Sequence, residues 1–149
     1  MVMPNVGLES KYGLFIDGKW RDASDGATFE TTCPANGEHL AFCAEATRQD
    51  VDDAVKAAWN AWEKWKDVEP AKRAAILMKI ADIIDANAER LAMIESLDNG
   101  KPIRETMNID IPFSSDHFRY FAAAVRAEEG SASMLDNNTL SIILREPIG

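Results

Sequence analysis

Few residues in this chain could do chemistry, and their contexts decide what they are for. Cys33 stands beside Pro34, and Cys43 lies inside the apolar run Leu40–Ala44. A nucleophilic thiolate needs a helix start or a cationic neighbour to stabilise it. Neither cysteine has one in sequence, so both read as small buried apolar side chains. No G-x-S-x-G elbow supplies a serine nucleophile. His39 and His117 are far apart, and neither has a Cys or His at metal-ligand spacing. His117, in Asp116-His117-Phe118-Arg119-Tyr120, reads as a hydrogen-bonded structural histidine. The acidic residues are scattered singly over helix surfaces, which describes a solvated face rather than a calcium loop. The 8 glycines never fall as G-x-G-x-x-G or as a P-loop, so no phosphate cradle is expected. Trp59, Trp62 and Trp65 follow helical spacing, which predicts core packing rather than a ligand platform.

The elements that would position these residues change character at Thr47. Before it the chain reads as β structure. Asp17-Gly18 between Leu14-Phe15-Ile16 and Lys19-Trp20 predicts a hairpin, because both turn positions need positive φ. Thr28–Thr32 is a second strand, stopped by the turn cluster Pro34-Ala35-Asn36-Gly37. His39–Ala46 is a third, with Leu40, Phe42 and Ala44 on one side and Ala41 and Cys43 on the other.

After Thr47 the periodicity is helical. The Thr47 hydroxyl can cap the Asp50 amide, and Val51, Val55, Ala58, Trp59, Trp62 and Trp65 then form one apolar face. Lys66–Pro70 breaks that helix, and Pro70 suits the first position of the next. Ile76, Leu77, Ile80, Ile83 and Ile84 make its stripe. Asn87 can cap a third helix, closed by Gly100 with Pro102 two residues on. A last helix is expected from about Ile109 to Glu129, with Pro112 in its first turn. The apolar run Thr139–Arg145 then reads as a strand without a local partner, as though the chain stops mid-fold.

The chain has 149 residues, with 16 Lys+Arg against 25 Asp+Glu and a formal charge of −9. Such acidity argues against nucleic acid or an anionic membrane as the partner. No run is apolar enough to span a bilayer, and the opening Met1–Asn5 does not resemble a signal peptide. Two cysteines fit a reducing compartment, so a cytoplasmic location is expected. On composition and spacing alone this is an α+β piece without an active site.

Three stretches together resemble the N-terminal part of an NAD(P)-dependent aldehyde dehydrogenase. Leu14–Trp20 is similar to that family's opening hairpin. Leu97-Asp98-Asn99-Gly100-Lys101-Pro102 is similar to its L-D-x-G-K-P helix end. Arg145-Glu146-Pro147-Ile148-Gly149 resembles the R-x-P-x-G lead into its dinucleotide fold. Arg104–Thr106, Asp110–Pro112, Asp116–Phe121 and Glu129-Gly130 look most like the short-chain branch, whose members oxidise acetaldehyde and similar aliphatic aldehydes.

The resemblance implies an α/β fold, with 1–130 belonging to the coenzyme-binding domain and 131–149 starting an oligomerisation arm. It implies NAD or NADP as cofactor, an aldehyde substrate and a homo-oligomer built through Thr139–Arg145. In such enzymes a cysteine thiolate attacks the aldehyde, hydride passes from the thiohemiacetal to the nicotinamide, and a glutamate activates water. Those residues and the cofactor loops match nothing here, so this chain alone is expected to be inactive, with no catalytic and no cofactor-binding residue of its own. The family often holds a structural K⁺ or Na⁺, which would fall on Thr31, Thr32 and Asp98. Asp98 could equally be a surface carboxylate or bond locally near Gly100. Two other readings compete: a catalytically dead interaction module docking on a full-length homologue, and a free-standing helical domain binding through the tryptophan face.

Overall fold

The computed structural model of the protein describes residues 6–148, so the opening Met1–Asn5 and the final Gly149 of the R-x-P-x-G stretch lie outside the described residues. The elements run β1 (Lys11–Tyr12), β2 (Leu14–Ile16), β3 (Lys19–Arg21), β4 (Thr28–Thr32), β5 (His39–Ala44), α1 (Arg48–Trp65), α2 (Pro70–Ala86) and α3 (Ala88–Asn99). They continue as α4 (Ile103–Glu105), a π-helical turn (Thr106–Asp110), α5 (Ile111–Ala127), β6 (Ser131–Met134) and β7 (Leu140–Ile143). The result is a mixed α/β fold.

Asp17 (φ 52°) and Gly18 (φ 74°) both take the left-handed conformation, and β2 and β3 pair antiparallel through Phe15↔Trp20. That is the turn that matches the right-handed twist of the strands. A separate mixed sheet places β5 between β1, which runs parallel to it, and β4, which runs antiparallel. β1 escaped the sequence reading because two residues carry no period. On β5 the expected alternation fails: Ala41 and Ala44 are buried, whereas Phe42 is exposed.

The helix starts follow local chemistry closely at Thr47. Its hydroxyl accepts from the Asp50 amide, and the Asp50 carboxylate accepts from the Thr47 amide, completing a capping box. Pro70 opens α2 as expected. Asn87 does not cap α3; its Nδ2 donates to the Ile83 carbonyl at 2.8 Å and ties off the end of α2 instead. The last helical stretch begins at Ile103, earlier than expected, and ends at Ala127. Pro112 lacks an amide and crowds the preceding turn. The π-helical turn directly before it, in which the Ile111 amide reaches back to the Thr106 carbonyl, lets the helix run through that position.

α2 and α5 pack against each other, and Arg119 on α5 joins Asp82 at 2.9 Å and Asp85 at 2.7 Å on α2. The fully buried apolar residues are small: alanines at 23, 41, 44, 74, 81, 92 and 122, with Cys33. The largest fully buried side chains among the described residues are Thr106 and Asp50. Most of the apolar stripe expected to fill a core from α1 faces outward, with Val51, Val55, Trp59 and Trp65 exposed, whereas Trp62 is half-buried. Ile76 and Ile83 of α2 are exposed too. α1 packs chiefly on β2 instead, with Ala54, Ala57 and the buried Asp50 on its more enclosed side. β7 is not without a partner: it pairs antiparallel with β6, from Ser131↔Ile143 to Met134↔Leu140. Ser131-Ala132-Ser133-Met134 lacks the β-branched and aromatic residues that mark a strand, which is why the sequence concealed it.

Candidate functional site

The sequence-predicted cation ligands come from two elements far apart in the chain. Thr31 lies near the end of β4, where a register irregularity separates it from Thr32. Asp98 lies in the last turn of α3. The structure brings Thr31 and Asp98 together: the Thr31 hydroxyl donates to Asp98 Oδ1 at 3.0 Å. Asp98 is therefore neither a lone surface carboxylate nor a purely local hydrogen-bonding group. Thr32 is exposed one residue further on.

Two features hold this junction. Beyond β4 the chain turns tightly at Cys33, whose amide donates to the Glu38 carbonyl at 2.8 Å and whose carbonyl accepts from the Gly37 amide at 2.7 Å. Beyond Asp98, Gly100 ends α3 in the left-handed region (φ 78°), and its amide donates to the Ser96 carbonyl at 3.0 Å. A Cβ at Gly100 would lie 2.9 Å from Pro34 Cγ. The helix end thus rests directly on the turn, which needs a glycine for both its φ and its close approach.

Thr31 and Asp98 also line a cleft of about 330 Å³ with Leu8, Tyr12, Cys43 and Arg90. Arg90 donates to the carbonyls of Val6 and Gly7 at 3.1 and 3.2 Å. A hydroxyl and a carboxylate are hard oxygen donors, which suit a K⁺ or Na⁺ ion chemically. Among the described residues no group of three or more His, Cys, Asp or Glu side chains gathers at metal-binding distance.

The cysteines and histidines singled out in the sequence take structural positions. Cys33 is 3% exposed and Cys43 half-buried; both are free thiols. His117 Nδ1 lies 2.9 Å from the Phe113 carbonyl, consistent with the structural reading. His39 Nδ1 lies 2.8 Å from Glu30 Oε1 across the β4–β5 pair.

A cluster that sequence reasoning missed lies where the first hairpin meets α1. Arg21 donates to Asp50 and Asp53, and the Ser24 amide and hydroxyl both donate to Asp50 Oδ2. The Ser24 and Thr47 amides, followed by the hydroxyls of the same residues, hold the Asp50 carboxyl down at about 2. Asp53 is lowered as well, by the Gln49 amide and then by Arg21. The Thr47 cap on the Asp50 amide was legible, but nothing local shows that Arg21 and Ser24 share the Asp50 carboxylate.

The described elements form a mixed α/β fold in which the end of α3 is seated on the turn after β4. A family model described as "Aldehyde dehydrogenase family" matches residues 20–149, and the chain belongs to that family. An aldehyde dehydrogenase of Vibrio cholerae is 49% identical over 146 residues, covering 97% of this chain and 28% of that protein. An NAD-dependent aldehyde dehydrogenase from Sinorhizobium meliloti superposes with a TM-score of 0.89 at 37% identity, over 97% of this chain and 29% of its own. PnpE, solved in complex with nicotinamide adenine dinucleotide, gives a TM-score of 0.84 at 37% identity, over 88% and 27%. The chain therefore spans less than a third of the length of these relatives. No helix among the described residues is long and apolar enough to cross a membrane.

Proposed function

We propose that this chain is the N-terminal part of an NAD(P)-dependent aldehyde dehydrogenase that oxidises short, acetaldehyde-like aliphatic aldehydes to carboxylic acids in the cytoplasm. The family match over residues 20–149 is the observation that supports this reading most strongly. When bound, NAD or NADP accepts the hydride. The residues described here position rather than react. Residues 1–130 belong to the coenzyme-binding domain, and 131–149 begin an arm through which subunits associate along the Thr139–Arg145 strand. Thr31, Thr32 and Asp98 hold a structural K⁺ or Na⁺ that ties the Cys33–Pro34 turn to the end of α3. Cys33 is too enclosed to meet an aldehyde, and Cys43 is half-buried.

The chain by itself is inactive on this reading. The test is NADH absorbance with acetaldehyde and NAD, using protein of verified 16.5 kDa mass. No turnover is expected from the chain alone. The same residues joined to the rest of the Vibrio relative restore turnover, with acetaldehyde preferred to a bulky aromatic aldehyde. Turnover by the 16.5 kDa species would overturn the assignment of both cysteines. The exposed apolar faces also favour a second reading, a catalytically dead module that docks on a full-length homologue; co-purification with an intact homologue, without the missing part being supplied, distinguishes it.

A further inference from the structure

Asparagine is followed by glycine at two places, Asn36-Gly37 and Asn99-Gly100. Both pairs lie at one junction, because the turn that holds Asn36 also holds Pro34, against which Gly100 is seated. An Asn-Gly pair can react with itself. The glycine amide nitrogen attacks the asparagine Cγ, and no Cβ on the glycine shields that nitrogen. An N–Cγ bond forms, the Cγ–Nδ2 bond breaks, and ammonia leaves carrying the amide proton. Water then opens the succinimide ring at either of its carbonyls. One opening gives aspartate; the other gives isoaspartate, in which the main chain runs through the side-chain carbons. No electrons change hands, and water is the co-reactant.

The two pairs differ in what holds the reacting atoms. At Asn36 the Glu38 amide donates to Oδ1 at 2.9 Å. A donor in that place stabilises the negative charge that gathers on the oxygen during attack. Asn36 is exposed, and among the described residues nothing holds its Nδ2, so the leaving amine meets solvent. A Cβ at Gly37 would find nothing within 4 Å, which leaves the turn room to rotate. The attacking amide is tied by a single bond, to the Cys33 carbonyl at 2.7 Å.

Asn99 is held at every group. Its Oδ1 accepts from the Lys101 amide at 2.7 Å, and the Gly100 amide donates to the Ser96 carbonyl. Its Nδ2 donates to Glu95 Oε1 at 2.5 Å. A carboxylate only accepts there, so it retains the amine and does not protonate it for departure. Pro34 also closes off the space around Gly100.

We infer that Asn36 is a self-modification site, converted by the Gly37 amide to aspartate and isoaspartate, while the fold preserves Asn99. The conversion adds one negative charge to the formal −9. Isoaspartate also lengthens the main chain inside a turn closed by the Cys33 amide and the Glu38 carbonyl at 2.8 Å. Pro34 belongs to that turn, so the longer product loosens the seat of α3. The reaction does not reverse, and the converted fraction records the age of the molecule.

The test is timed incubation of the whole chain in warm, mildly alkaline buffer. Peptide mass mapping and enzymatic methylation of isoaspartate follow both sites. The Asn36 peptide is expected to convert, with ammonia released in equal amount. Asn99 is expected to convert at least about tenfold more slowly, because a charge-assisted hydrogen bond must break first. In urea the two sites are expected to lose that difference. N36D carries the charge without the isomer, and N36Q lengthens the ring that must close. Aged parent should unfold at lower urea than fresh parent, N36D should match fresh parent, and N36Q should not age. An Asn36 that stays intact in the folded chain overturns the inference. So does an Asn99 that converts as fast, or a rate ratio unchanged by urea. An N36D protein as unstable as aged parent overturns the lengthened turn as the cause.

Discussion

Arg21 Nη2 lies 2.9 Å from Asp50 Oδ1 and 3.2 Å from Asp53 Oδ2, joining the first hairpin to the first turn of α1. Asp50 is thus a helix cap and an ion-pair partner at once. Its exposure is 1%, and its lone pairs are taken by Thr47, Ser24 and Arg21. This polar cluster links α1 to the strands before it.

A pH dependence follows from the Asp50 carboxyl, held at about 2 by the Ser24 and Thr47 amides. The unfolded chain keeps the ordinary value near 4, so it binds the proton first as pH falls. Stability from this group is therefore fully present above about pH 4 and is lost as pH falls toward 2. Urea denaturation between about pH 6 and about pH 2 should show a steep acid loss in the parent. Asp50→Asn should be less stable at neutral pH and flatter over the same range. Equal acid slopes for the two proteins would remove Asp50 as the cause.

At the α3 end, Gly100→Ala should destabilise the fold by about 1–2 kcal/mol from the left-handed backbone alone. The contact with Pro34 Cγ adds to that. Removing the ring with Pro34→Ala in the Gly100→Ala background should recover the contact part and leave the backbone part. Chemical denaturation of the two single variants and the double variant separates them. An additive double variant would show that helix end and turn do not touch in solution.

The Thr31–Asp98 pair predicts an ion-specific effect. Asp98→Ala should lower the melting temperature more in K⁺ than in a large organic cation, because only the small cation can use the oxygen donors. Thr31→Val removes the hydroxyl while keeping the shape and should reduce the K⁺ dependence in the same direction. Equal losses in both salts would leave a hydrogen bond and no ion site.

On β7, Ile142 is exposed and Ile143 is paired in register with Ser131. Ile142→Lys should leave the circular dichroism of the chain unchanged while lowering its concentration-dependent self-association, read by sedimentation velocity. A charge on an open strand edge is a common barrier to edge-to-edge pairing. Association unaffected by this change would exclude the β7 surface as its route.

What the sequence determined by itself is what adjacent residues decide. The Asp17-Gly18 turn, the Thr47 cap on the Asp50 amide, Pro70 at a helix start and Gly100 at a helix end were all legible. Each depends on backbone angles and hydrogen bonds within three or four positions. The motif Leu97–Pro102 was readable for the same reason, and with Leu14–Trp20 and Arg145–Gly149 it carried the family resemblance.

Tertiary structure decided which partners and which faces those elements use. Periodicity showed that α1 has an apolar stripe, but only the packed chain shows that the helix meets β2 and that Trp59 and Trp65 are exposed while Trp62 is half-buried. Asn87 could serve either neighbouring helix, and the backbone geometry gave it to α2. The strand Ser131–Met134 has no propensity of its own and exists through its pairing with Leu140–Ile143. Arg21 with Asp50 and Thr31 with Asp98 are 29 and 67 residues apart. Contacts at such separations follow from how whole elements stack, because no local rule distinguishes one exposed arginine or threonine from another until the surfaces are brought together.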